Sequence, residues 1–195
     1  MRVRSFPYEG TIYVRCMQAL CLLPWTKAPH MTLQKITPCL WFDTNAQEAV
    51  DFYITVFPDA RIVRTSHYSE EGFEQHHMPA GTVLTIEFEL AGQKFLALNG
   101  GPVFKLNEAV SMMIDCENQA EIDRYWDTLG AEGDPAAQQC GWLKDRFGLS
   151  WQVVWKELVA MHSDPDPEKR DRVMAAMMKM KKLDVKELQA AYDGE

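Results

Sequence analysis

His67, His76, His77, Cys39 and Cys140 are the side chains whose types promise chemistry, and their spacing restricts what that chemistry can be. His76 and His77 are adjacent, and neighbouring side chains of an extended segment point to opposite faces, so the pair does not chelate one ion. They read as solvated loop residues, while His67 ends a strand and can cap a cleft. Cys39 alternates with Thr37 and Trp41, which places all three on one strand face. A nucleophilic cysteine needs a base, and no histidine neighbours Cys39 in sequence. A buried apolar thiol is therefore the plainer expectation for it, and equally for Cys140 beside Gly141 and Trp142. Asp43, Asp51, Asp115 and Asp123 could suggest paired acid and base. Asp43 and Asp115 stand just before predicted helices, where a carboxylate accepts from free backbone N–H groups, and Asp51 and Asp123 fall on solvent-facing helix positions.

The elements that position these residues begin at Gln34. Residues 36–42 read as a strand, Asn45 as a cap, and Ala46 to Phe57 as an amphipathic helix closed by Pro58. Residues 60–68 and 82–90 alternate as strands, Ala91-Gly92 makes a turn, and 94–99 is a further strand. Between them, 69–81 reads as a loop. The same order restarts with a strand over 109–115, a helix over 118–129, a Gly/Pro-rich connection, and strands over 141–146 and 149–155. A shift of 72 positions superposes Asp43 on Asp115, Gln47 on Gln119, Val50 on Ile122, Asp51 on Asp123 and Tyr53 on Tyr125. This is an internal duplication of a βαβββ unit.

Each unit has one helix, which covers one sheet face and leaves the other in need of a partner. The expected fold class is α+β, with two βαβββ modules (31–104 and 105–158) forming a curved mixed sheet around a cleft. Carboxyl-terminal helices follow in 159–195. Asp164-Pro165-Asp166-Pro167 starts one of them, with Val173, Met174, Met177, Met178 and Met180 as a packing stripe, and Asp184 caps a second that Gly194 ends. Residues 1–30 show no sustained period and stand apart as an extension outside the core, with Met31 the expected true start.

Composition narrows the partners. The 195 residues carry 20 Lys+Arg against 28 Asp+Glu, a net charge of −8, which repels phosphate backbones and excludes nucleic acid. No apolar run approaches the roughly 20 residues that cross a bilayer, so no membrane partner is expected. Five cysteines, odd in number and without a CxxC pair, suit a reducing cytoplasm.

Several strings together resemble one family. They are ITPCLWFD (36–43), AVDFY (49–53), FPDARI (57–62), LNGGP (98–102), CGWLKD (140–145) and GLSWQ (148–152). They resemble the PhnB-like branch of the vicinal oxygen chelate superfamily, which includes glyoxalases, bleomycin-resistance proteins and dioxygenases, over roughly residues 33–193. The branch also carries the label demethylubiquinone methyltransferase-like. The resemblance implies paired βαβββ modules and a homodimer. It also implies a divalent ion at four inward strand positions, which here are Thr37, Leu96, Ala109 and Gln152. Only Gln152 could coordinate, so no metal is expected. No glycine-rich strand-to-helix turn for S-adenosylmethionine is present, because Gly100-Gly101 precede a stretch without helical pattern, so no cofactor is expected either.

What remains is a cleft lined by Cys39, Trp41, Asn99, Ser111, Met113, Trp142 and Gln152, with Thr37, Leu96 and Leu98 beside them. Such a lining suits a small, flat or aromatic organic ligand, stacked on an indole and oriented by amides and hydroxyls. Two competing readings stand beside this binding module. One is a metal-free or substrate-assisted isomerase, lyase or transferase in which Cys39 or His67 moves a proton, and the other is a dimeric scaffold with a filled cleft.

Overall fold

Apolar alternation builds the first sheet. In the computed structural model, which describes residues 34–195, β1 (Cys39–Phe42), β2 (Arg61–His67), β3 (Val83–Leu90) and β4 (Gln93–Asn99) pair in the order β1-β4-β3-β2. Leu40, Phe42, Ile86, Phe88, Leu90, Phe95 and Ala97 are buried on one face. Helix α1 (Ala46–Val56) lies across that face with Ala46, Ala49, Val50, Tyr53 and Val56 inward, a spacing that follows the helical period. The opposite face carries Cys39, Trp41, Leu96 and Leu98 together with Arg64 and Glu87, which are joined in a salt bridge. The first strand is shorter than the sequence pattern suggests. Pro38 has no N–H to give a ladder, although its carbonyl still accepts from Leu96 N at 2.9 Å.

The loop over 69–81 contains a one-turn helix, α2 (Phe73–His76). It folds back on the sheet: Tyr68 Oη donates to Asn99 O at 2.6 Å, and the Tyr68 and His76 rings lie 4.5 Å apart.

The second module repeats the order with β5 (Ser111–Cys116), α3 (Gln119–Gly130), β6 (Trp142–Lys144) and β7 (Ser150–Trp155), in a sheet ordered β5-β7-β6. This matches β1-β4-β3. The place equivalent to β2 holds a single bridge, Gln139 to Trp142, preceded by a 3-10 turn at Pro135–Ala137. The neighbouring backbone is taken by the tail instead, since Cys140 N donates to Met180 O and Gly141 N to Lys181 O. The duplication is visible in side chains as well: Gln47 donates to Asp51 at 2.9 Å, and Gln119 to Asp123 at 3.0 Å.

The two sheets share no ladder. They meet through one core on their helix-covered sides, where Tyr53 packs on Trp151 at 5.7 Å and Phe57 on Tyr125 at 5.2 Å. The first sheet therefore keeps its other face open, the second buries Ser150 and Val154 on that face and leaves the rest of it open, and a groove is left between β5 and the β3–β4 turn.

Three further helices follow, α4 (Leu158–His162), α5 (Pro167–Met177) and α6 (Val185–Asp193). Asp166 caps α5 with Pro167 in its first turn, Asp184 caps α6, and Gly194 ends α6 at φ 84°. The methionine stripe is only partly buried. Val173 and Met180 pack in a second core with Leu183 and Leu188, whereas Met174 and Met178 are exposed. Gln119 joins the tail to α3: its Nε2 donates to Leu183 O and its Oε1 accepts from Val185 N. The predicted extension over 1–30 lies outside the described residues.

Candidate functional site

The groove between the sheets encloses about 570 Å³. Its floor is aromatic, made by Phe57, Phe95, Tyr125 and Trp151, and one wall is the length of β5 from Ser111 to Asp115. Pro38 and the turn from Leu90 to Gln93 form the other wall. β5 pairs with β7 on one side only, so residues of both parities reach the groove along its free edge. This volume and the apolar floor fall in the range typical of small-molecule sites.

Ser111, Met113, Gln152 and Trp142 come together on the open face of the second sheet. Met113 pairs in register with Gln152, and Gln152 with Trp142. Gln152 Nε2 donates to Ser111 Oγ at 2.8 Å, which leaves the Ser111 O–H as a donor at the groove. Of the four, Ser111 and Met113 line the groove itself.

Cys39 and Trp41 stand instead on the open face of the first sheet. The Trp41 indole lies on Gly100, donates through Nε1 to Gly101 O at 2.8 Å, and meets Phe104 edge to face at 5.0 Å. It borders a separate cavity of about 290 Å³ between the 102–106 crossing and the β6–β7 turn. Cys39 is exposed rather than buried, because β1 is the edge of its sheet. Partial burial still pushes its thiol above the ordinary value, and no imidazole hydrogen-bonds it among the described residues. That is the reverse of an activated thiolate. His67 is exposed at the end of β2.

Asn99 faces the other way. It pairs with Phe42 on the helix-covered face and is buried, with Oδ1 accepting from Ala46 N at 2.9 Å and Nδ2 donating to Val83 O at 3.0 Å. It thus caps α1 from a distant strand, a role expected of Asp43; Asn45 makes no side-chain cap. In the second module Asn118 caps α3 with its own side chain, where Asp115 was the expected acceptor.

Sequence reasoning missed Asp145. This carboxylate is 2 % exposed and accepts from Tyr53 Oη and Trp151 Nε1, each at 2.8 Å, and from the N–H groups of Phe147 and Leu149. Burial pushes its carboxyl above the usual range, and these four donors oppose that shift. The strings CGWLKD and GLSWQ thus encode a structural knot. The signal was an Asp followed three and four residues later by Gly148 and Leu149, a turn in which a carboxylate accepts from its own backbone.

The donor set does not fit a catalytic metal. Leu96 and Ala109 have no ligating atom, Thr37 offers only a neutral hydroxyl and Gln152 a single amide oxygen, and the described residues hold no group of three His, Cys, Asp or Glu near one point. Neither strand-to-helix turn, 43–45 or 117–118, contains a glycine, so a phosphate or nucleoside cradle is not built there.

The family profile described as 3-demethylubiquinone-9 3-methyltransferase matches residues 34–154. The chain belongs to that family. A PhnB protein from Bacillus cereus is 34% identical, with 63% of this chain covering 99% of that one at a TM-score of 0.53. A Staphylococcus aureus protein is 28% identical over 65% of this chain and 100% of its own, with a TM-score of 0.28. The fosfomycin resistance protein FosX from Mesorhizobium loti is 14% identical over 67% of this chain and 99% of its own, with a TM-score of 0.40. No curated protein matches the chain. In this family member, the matched segment spans both modules and the groove, and the PhnB likeness agrees with the branch that the sequence motifs resemble.

Proposed function

We propose that this family member binds a small, largely apolar organic molecule in the groove between β5 and the β3–β4 turn, without a catalytic metal. The observation that carries the reading is the groove itself: an aromatic floor in about 570 Å³, with the Ser111 hydroxyl at its wall held by Gln152. Burying a flat ring against Tyr125 and Trp151 supplies affinity, and one hydroxyl donor fixes orientation. Trp142 and Gln152 extend this surface on the same sheet face. The raised Cys39 thiol speaks against proton transfer by that residue.

Titration with Nile red, an uncharged fluorescent probe, tests the reading. Saturable binding that weakens at least fivefold in Met113→Trp, which fills the groove, is the expected result. Unchanged binding in a folded Met113→Trp protein sinks it.

The same reading takes the protein as a cytoplasmic homodimer. Its support is the free state of Cys39, Cys116 and Cys140 and the exposed apolar side chains of Val103, Phe104 and Val110. No helix among the described residues is long and apolar enough to cross a membrane. Light scattering on a sizing column reads the subunit count directly, and a monomer at micromolar concentration would refute the dimer.

A further inference from the structure

The groove's charge is one-sided. Asp115 and Glu121 are its two acidic side chains, and no lysine or arginine stands among the described residues that line it. Asp115 shares a strand face with Ser111 and Met113, so one edge of β5 presents a hydroxyl, a thioether and a carboxylate in a row. With a rise of about 3.3 Å per residue, the hydroxyl and the carboxylate stand roughly 13 Å apart. Glu121 adds a second carboxylate from the first turn of α3, and its Oε2 is held by Glu117 N at 2.8 Å.

The cations closest in sequence and register are already partnered, one outside the groove and one on a ring of its floor. Lys156 pairs with Glu117, and the Arg124 guanidinium lies over the Tyr125 ring at 4.2 Å. Asp115 is exposed and Glu121 partly so, which leaves both carboxylates within reach of a ligand in the groove. A carboxylate or phosphonate ligand entering here would lose water beside two negative charges. An ammonium would meet them, with Met112 and Met113 as polarisable neighbours. We infer that the groove takes an apolar organic cation: an amine at the Asp115 end, an apolar body over Met113, and a hydrogen-bond acceptor at Ser111. This rests on the groove being a ligand site and names the class of ligand.

Nile red displacement by three matched compounds, 4-phenylbutylamine, 4-phenylbutanol and 4-phenylbutyrate, tests the charge preference at pH 7. The amine is expected to displace the probe at about tenfold lower concentration than the carboxylate. The gap should narrow in 0.5 M salt and in the Asp115→Asn, Glu121→Gln double variant, while the alcohol is unchanged. Equal displacement by amine and carboxylate, or a preference that survives the double variant, overturns the inference and leaves the groove standing. Failure of Nile red to bind overturns the groove and the inference together.

Discussion

The Tyr53 hydroxyl donates to Asp145 Oδ2 at 2.8 Å across 92 residues, and so ties the helix of the first module to the sheet of the second. Trp151 Nε1 donates to the same oxygen, which makes Asp145 a buried polar junction beside the aromatic rings where the modules meet. Asp145→Ala would leave a phenol, an indole and two backbone N–H groups buried without acceptors, and is expected to cost about 3–5 kcal/mol. Tyr53→Phe removes one donor and should cost about 1–2 kcal/mol. Urea midpoints at pH 7 read both. A loss below 1 kcal/mol for Asp145→Ala would mean that the knot does not hold the modules together.

The pH dependence of this pair is one-directional at alkaline pH. Burial, then the adjacent Asp145, pushes the Tyr53 phenol well above its ordinary value, so the folded state keeps a proton that the unfolded chain releases near pH 10. The folded state then binds more protons, and stability falls as pH rises above that point. Wild type should therefore lose stability faster than Tyr53→Phe between about pH 10 and 11. Parallel stability curves for the two proteins would count against a buried, protonated Tyr53.

Much of this fold was legible because the duplication forces local patterns to agree. The helix from Ala46, the Asp184 cap and the Gly194 stop follow from period and capping chemistry. The alternation of β3 likewise marks its buried face. The groove was less legible. It depends on how two sheets meet through Phe57, Tyr125 and Trp151, which no local period encodes. Strand parity placed Ser111, Met113 and Gln152 on one face, but it could not show that Asn99 caps a helix 53 residues away. A long-range cap leaves no spacing signature, and an edge position made Cys39 exposed where alternation alone suggested burial.

The thiols should separate by reactivity. Burial pushes Cys116 up to about 12, with Glu121 and Asp115 adding to the shift, and Cys39 is raised by burial alone. At pH 8 iodoacetamide should leave Cys116 unmodified in the native protein and modify Cys39 slowly. The Cys39 rate should rise about tenfold per pH unit without a plateau below pH 9. Peptide mapping of the alkylated protein checks each site. A Cys39 rate that plateaus near neutrality would reveal an activated thiolate and restore the enzyme reading.

Gly100 is required by Trp41. A Cβ at Gly100 would fall 2.2 Å from the indole ring, which cannot yield without losing its bond to Gly101 O and its edge contact with Phe104. Gly100→Ala should therefore expel the indole and cost about 2–3 kcal/mol, with a red shift of tryptophan emission. Trp41→Phe relieves the clash, so the double variant Trp41→Phe, Gly100→Ala should be more stable than Gly100→Ala alone. Because Trp41 borders a different cavity from the groove, neither single change should alter Nile red affinity by more than about twofold. A larger effect would mean that the two cavities communicate, and would bring Trp41 back into the binding surface.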